Sequence, residues 1–309
     1  MLDGIEIKNS IADEALAGLR QTQKTLPAKL FYDEEGCRLF GEITRLPEYY
    51  PTRTETALLR TIGPDLPRTS FAALVEYGAS DETKSELILP HLNVDTYVPI
   101  DVAPSALDAI VGRMSVRHAG LRVLPLACDF LAPFDLPSGV PHGPNFGFFP
   151  GSTIGNLDRP VASAFLSSVA ATLGPQAVFL VGVDLRKDRS ILIPAYDDAQ
   201  GVTAAFNLNI LTHLNQSTDA NFDPAHFVHR ARWNDEMSRI EMHLECQIDH
   251  IVTLGGERVG FRGGETIHTE NSYKYTVVDF QRLASKAGWT PIRVWTDDRQ
   301  LFSVHLLMR

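Results

Sequence analysis

The sequence predicts an α/β protein with a doubly wound sheet and an inserted α+β lobe, on three observations. From residue 71 onward, short apolar runs alternate with segments of helical apolar spacing. Glycine or acidic residues stand just after those runs. The chain then closes, beyond its last helical segment, with two strand-like runs joined too closely to lie parallel, since a parallel crossover needs a dozen residues or more.

Residues 1–67 read as helical, with apolar residues at i, i+3 and i+4 over 11–19 and 35–43. Leu46-Pro47-Glu48-Tyr49-Tyr50-Pro51-Thr52-Arg53 places two prolines around two tyrosines, which bars a helix interior, so the next helix is expected over 55–62 with Thr52 or Thr54 as its cap. Strands are then expected over 71–77, 96–102, 122–128, 146–150 and 177–184, with helices over 83–89, 105–114 and 161–173. Between Arg186 and Thr269 the pattern changes to a helical stretch, 202–214, and three short runs that are polar at alternate positions, 227–233, 240–248 and 251–254. Such runs suit an antiparallel sheet. Helical spacing returns over 275–287, and strand-like runs over 291–296 and 301–308 flank a turn at Asp297-Asp298. The expected division is a nucleotide-type Rossmann-like domain over 1–185 and 275–309, with the N-terminal helical segment attached, and a lobe inserted over 186–274. A doubly wound sheet ending in a hairpin is the usual outline of an S-adenosylmethionine-dependent methyltransferase and unusual in a dehydrogenase.

The chain has 309 residues and 44% apolar content, enough to build a proper core. Cys37, Cys128 and Cys246 show no C-x-x-C spacing, and the ten histidines are scattered, so a reduced, metal-free protein is expected. The first residues lack the basic and apolar regions of a signal peptide, and no apolar run approaches the length of a membrane span. A cytoplasmic, monomeric protein follows as the expectation. A formal charge of −10 without a basic cluster argues against nucleic acid and for small-molecule partners.

In doubly wound sheets ligands bind outside the carboxyl ends of the strands, so residues just after each run are the candidates. Gly78, in Glu76-Tyr77-Gly78-Ala79-Ser80-Asp81, lets backbone approach a ligand without a Cβ, although the G-x-G-x-x-G fingerprint is absent. Asp101 follows by roughly 20 positions, the spacing of a carboxylate that accepts ribose hydroxyls. Asp129-Phe130 sets an acceptor beside a ring, suited to adenine. Lys84 can offer its charge to a ligand carboxylate. Gly151-Ser152-Thr153-Ile154-Gly155-Asn156 makes a tight loop ending in an amide that can donate to a carboxylate or accept from an ammonium. Each has a plain structural alternative: Asp101 or Asn156 as a helix cap, Asp129 as a loop acid, Lys84 as a solvated charge, the tyrosines as packing residues. Tyr196-Asp197-Asp198 and Glu270-Asn271-Ser272 stand at the two junctions of the inserted lobe, as ligand-facing groups or as hinge polar groups.

Several motifs resemble those of the L-histidine Nα-methyltransferases of ergothioneine biosynthesis. They are Phe31-Tyr32-Asp33, residues 46–53 (LPEYYPTR), 151–157 (GSTIGNL), 195–207 (AYDDAQGVTAAFN), 239–242 (RIEM), Gly264-Glu265 and Thr269-Glu270, in order over nearly the whole chain. The resemblance implies S-adenosylmethionine as cofactor, bound by Tyr32, Gly78, Lys84, Asp101, Asp129 and Phe130. It implies that Tyr49, Gly151, Thr153, Asn156, Tyr196, Met242, Glu270 and Ser272 bind the amino acid. Asn156 and Tyr196 would hold the α-carboxylate, Glu270 and Ser272 the imidazole, and Met242 would pack on the ring. Tyr32 and Tyr49 would orient the amine during methyl transfer. The first strand departs from the family's usual Glu-Leu-Gly-Ser-Gly-Thr ending. Two other readings stay open: the same chemistry on another free amino acid, or a non-catalytic module that binds adenosyl ligands.

Overall fold

The computed structural model describes residues 2–309, with side chains from residue 11 onward. In chain order, α1 (Leu2–Leu19) and β1 (Lys24–Thr25) precede α2 (Glu34–Ile43) and α3 (Tyr50–Ile62). Then come β2 (Leu74–Tyr77), α4 (Ser85–Ile88), β3 (Thr96–Asp101), α5 (Pro104–Arg117), β4 (Arg122–Val123), β5 (Leu126–Ala127), β6 (Phe146–Phe149), α6 (Arg159–Leu173) and β7 (Val178–Asp184). The intervening segment holds α7 (Arg189–Leu192), α8 (Val202–Ser217), β8 (Phe227–Asn234), β9 (Arg239–Cys246), β10 (His250–Leu254), β11 (Glu257–Phe261) and β12 (Thr266–Tyr273). Last come α9 (Val277–Lys286), β13 (Thr290–Thr296) and β14 (Phe302–Met308).

The chain divides into two compact units, residues 1–50 with 187–272, and 51–186 with 273–309. This differs from the expected boundaries at the N-terminus, where the first 50 residues group with the inserted segment. The reason is packing within that unit. Phe31 stacks on Phe206 of α8 with centroids 4.6 Å apart, Asn209 Nδ2 donates to Asp33 Oδ1 at 2.8 Å, and β1 pairs in parallel with β12. Asp33 also caps α2, accepting from the Gly36 N–H at 2.7 Å.

The larger unit is the doubly wound sheet, in the order β13-β14-β7-β6-β2-β3-β4, with β5 also pairing β3. β14 runs antiparallel to both β7 and β13, while β7, β6, β2 and β3 are parallel. Every residue of β2, β6 and β7 is buried, as strands covered on both faces require. One face packs Tyr77, Phe149 and Phe179 against Phe165 of α6 and Phe280 of α9. The other packs Leu74 and Phe148 against Leu58, Leu59 and Ile62 of α3 and Ile110 and Met114 of α5. The strand order reverses between β6 and β2, so the turns after those strands flank the switch point where ligands bind in this architecture.

The smaller unit contains the sheet β1-β12-β9-β8 and the separate hairpin β10-β11. Gly255 and Gly256 form the hairpin turn with φ of 57° and 75°, the two positive values that a type I′ turn demands. Asn207 of α8 fastens three strands at once. Its Nδ2 donates to His229 Nδ1 at 2.8 Å and to the His243 carbonyl at 3.1 Å, and its Oδ1 accepts from Thr269 Oγ1 at 2.7 Å.

Several expectations shift. The strand over 122–128 is two short pieces, and helix 83–89 contracts to Ser85–Ile88. α3 begins at Tyr50 with Pro51 in its first turn, so neither Thr52 nor Thr54 is its cap. β1 falls within the stretch 1–67 read as helical, since it pairs with β12 of the inserted segment, and β11 and β12 were not anticipated either. No helix among the described residues is long and apolar enough to cross a membrane.

Candidate active site

In the larger unit, the turns at the carboxyl ends of β2, β3 and β5 carry the expected cofactor residues other than Tyr32, and the turn after β6 carries the expected amino-acid residues Gly151, Thr153 and Asn156. Gly78 has φ of 72° and donates its N–H to the Ile100 carbonyl at 2.8 Å. A Cβ there would lie 3.7 Å from the Phe130 ring, so the glycine and the ring are neighbours. Phe130 packs edge-on against Tyr77, Phe149 and Phe165. Asp101 is half-buried and accepts from the Ala103 N–H at 2.9 Å. Burial raises its pKa. Ala103, not Asp101, is the cap of α5. Asp129 is exposed and accepts from the Leu131 N–H at 2.9 Å, a turn that fixes the loop carrying Phe130.

The turn is braced from beneath by Glu76, an acid inside an otherwise apolar strand. It accepts from the hydroxyls of Ser85 and Tyr97, and burial pushes its pKa up to about 7 against those two hydrogen bonds. Lys84 ion-pairs with Glu55 of α3 at 2.7 Å. The carboxylate of Glu55 also accepts from the Gly151 N–H, at 3.0 and 2.9 Å.

Residues 151–156 form a tight turn. Gly151 has φ of 79° and Ser152 a left-handed φ of 56°. Ser152 Oγ accepts from the Asp184 N–H at 2.8 Å, and Asp184 pairs with the buried Lys274 at 2.6 Å. Thr153 Oγ1 donates to the Pro150 carbonyl at 3.0 Å. Asn156 ends the turn half-buried, and the cap of α6 is Asp158. The capping alternative for Asn156 is thereby removed.

The smaller unit gathers the remaining candidates. Tyr49 packs edge-on against both Phe40 and Tyr196, and Tyr32, 38% exposed, packs on Phe40 and Phe206. The Tyr196 hydroxyl lies 2.7 Å from Ser272 Oγ, both side chains buried. His229 holds Tyr196 from behind. Its Nδ1 accepts from Asn207, which leaves Nε2–H to donate to the Tyr196 carbonyl at 2.8 Å, and burial lowers its pKa so that the neutral ring prevails. On β12, Glu270 is half-buried two residues before Ser272, so both point to one face of the strand. Met242 is buried on β9, and its carbonyl accepts from Thr269 Oγ1 at 3.0 Å.

Glu241, His243 and His268 bring metal-capable atoms within 4.8 Å of one another, although the scattered histidines gave no such signal. Arg239 and Asn234 already occupy Glu241 Oε1, at 2.6 and 2.9 Å. The two imidazoles stack 4.6 Å apart at 16°, so their nitrogen lone pairs lie in nearly parallel planes and do not converge on a single ion.

Asp184 stands at a strand end where ligand-facing groups were expected, but sequence reasoning missed its partner Lys274, and also Glu55, Glu76 and Asn207. Two of these left a readable signal: Glu76 interrupts an apolar strand, and Glu55 lies on the buried stripe of α3 with Leu58, Leu59 and Ile62.

The chain matches, over residues 11–309, the family model described as histidine-specific methyltransferase, SAM-dependent. It is 38% identical to the histidine N-alpha-methyltransferase of Mycolicibacterium smegmatis, covering 95% of this chain and 93% of that protein. The Mycobacterium tuberculosis protein of the same name is also 38% identical with the same coverage. A 4-dimethylallyltryptophan N-methyltransferase of Epichloe festucae var. lolii is 29% identical over 94% of this chain and 92% of its own length. With a glycine turn, a neighbouring ring, a half-buried acid and an ammonium at the strand ends, the sheet fits an adenosyl cofactor. The chain belongs to the histidine-specific, S-adenosylmethionine-dependent methyltransferases.

Proposed function

We propose that this chain trimethylates the α-amine of L-histidine to hercynine, as a cytoplasmic, monomeric enzyme of ergothioneine biosynthesis. The observation that carries the reading is the cluster in the smaller unit: the Tyr196 and Ser272 hydroxyls 2.7 Å apart, the Tyr49 ring on Tyr196, and Glu270 along the same strand face. These are residues that an imidazole-bearing amino acid calls for. A ring N–H donates to the Glu270 carboxylate, and the other ring nitrogen accepts from the Ser272 hydroxyl. Asn156 and Tyr196 take the α-carboxylate, while Gly151 and Thr153 shape the turn that carries Asn156.

S-adenosylmethionine supplies an electrophilic methyl group on a sulfonium. For it, Gly78 leaves backbone room, Phe130 offers a ring face, Asp101 and Asp129 offer acceptors, Lys84 offers a cation and Tyr32 a phenol. Tyr32 and Tyr49 orient the amine, which attacks only when unprotonated. Each round therefore releases a proton, and solvent takes it at the exposed Tyr32 side. The aromatic faces around Tyr49 tolerate the fixed cation of the trimethylated product.

Mass spectrometry of histidine incubated with the protein and S-adenosylmethionine should show mono-, di- and trimethylated species in succession. Methylation of another amino acid in preference to histidine would support the second reading, which the relative named for 4-dimethylallyltryptophan favours. Binding of adenosyl ligands without turnover of any amino acid would leave a sensor module.

A further inference from the structure

We propose that Glu55 is a positioning residue for methyl transfer, holding Lys84 and the Gly151 turn in register across the switch point of the sheet. The inference rests on the methyltransferase reading and adds to it a residue on neither the cofactor nor the amino-acid side.

Glu55 is fully buried. A carboxylate removed from water is costly unless it is paired and hydrogen-bonded, and this one is both. One oxygen meets Lys84 Nζ at 2.7 Å, and both accept from the Gly151 N–H. Lys84 belongs to the turn after β2, and Gly151 to the turn after β6, so a single side chain ties together the two turns that flank the order reversal. The two turns are themselves in contact, since a Cβ on Gly151 would lie 3.5 Å from Lys84 Nζ. Gly182 on β7 leaves the space: a Cβ there would fall on Glu55 Oε1.

Anchoring α3 to the sheet does not by itself call for a charge. Leu58, Leu59 and Ile62 on the same stripe already do that with apolar contacts. Replacing a buried ion pair by apolar groups is often neutral for stability, so a carboxylate kept at this depth points to its partners. Lysine is flexible, and in water its ammonium samples many positions. Pairing with Glu55 confines it, while its side chain stays 19% exposed and keeps donors for an anionic ligand group. The same carboxylate fixes the first N–H of the turn that ends in Asn156. Cofactor-side charge and acceptor-side turn are thus set before any ligand arrives, which lowers the ordering cost of binding.

The test is a double-mutant cycle read by calorimetric binding of S-adenosylhomocysteine to the full chain. Glu55→Gln keeps the volume but gives one acceptor and a donor where two acceptors are needed. It should weaken binding about tenfold in the parent and less than twofold in the Lys84→Met background. Equal losses in both backgrounds, or no loss in either, would overturn the proposal. Glu55→Asp runs through the same cycle in case the amide variant does not fold. It can reach Lys84 or Gly151 but not both, so kcat should fall at least tenfold even where binding recovers, and parental kcat would count against the bridge. A parent chain that bound S-adenosylhomocysteine but left histidine unmethylated would remove the acceptor assignment and leave the Glu55 coupling intact.

Discussion

Under the proposed function Glu270 selects the imidazole, and a carboxylate in that role must present an acceptor whose position does not drift. Glu270 sits within β12, its carbonyl accepts from His268 Nε2 at 3.1 Å, and the preceding Thr269 is locked through Oγ1 to Asn207 and to the Met242 carbonyl. Backbone on both sides of the acid is therefore fixed, and the side chain stays half-buried. Glu270→Gln keeps the shape and removes the charge. A hydrogen bond to a charged group contributes about 1.5–3 kcal/mol, so the KM for histidine should rise roughly 10- to 100-fold. Binding of S-adenosylhomocysteine should stay within twofold. Steady-state kinetics beside calorimetry check both, and an unchanged KM would remove the imidazole role from this residue.

The turn over 151–156, which we propose carries contacts to the acceptor, is held as an element more than through any one of its residues. It is held on one side by Glu55 through Gly151, and on the other by Ser152 through the Asp184 N–H. A third restraint is steric: a Cβ on Gly155 would stand 2.8 Å from the Tyr273 carbonyl oxygen, which is main chain and cannot swing aside. Gly155→Ala should cost about 1–3 kcal/mol of stability as the turn shifts, and turnover should fall further than cofactor affinity. Thermal melts with kinetics measure this, and an alanine variant with parental melting temperature and turnover would show that the turn has slack. The turn was legible in the sequence because two glycines and three small polar residues follow an apolar strand. The parallel strands were legible for a related reason, burial on both faces leaving uninterrupted apolar runs. β12 was not, since Thr-Ile-His-Thr-Glu-Asn-Ser-Tyr carries its polar residues inside the unit and satisfies them with side-chain bonds that periodicity does not register. The grouping of residues 1–50 with the inserted segment was equally hidden, because Phe31 on Phe206 is a contact made only by the folded chain.

Across the whole molecule, three buried histidines and the half-buried His268 give the fold a pH dependence of definite sign. Burial lowers the pKa of His229, His243, His268 and His305, to about 4 for His243 and about 3 for His305. An unfolded chain binds protons at these sites near pH 6.5, while the native chain holds them neutral to lower pH. The stability that they contribute is thus present above about pH 6.5 and is lost as pH falls toward the native values. For His243 alone the shift corresponds to about 3 kcal/mol by pH 4. Its ring stacks on His268 at 4.6 Å, so charging either one opposes charging the other. Glu76 acts with the opposite sign: held up near 7, it favours the native state at low pH and loses that contribution as pH rises from about 4.5 to 7. Glu241 stays anionic through this window, since hydrogen bonds from Asn234, Arg239 and His243 outweigh burial and hold it at about 2. Asp101, also raised by burial, acts with the same sign as Glu76, and four histidines against these two acids leave a net loss on acidification. The melting temperature should be highest near pH 7–8 and fall steeply between pH 6.5 and 4.5. His243→Asn, neutral throughout, should flatten that slope, and a slope equal to the parent's would show that this buried pair does not govern the acid limb.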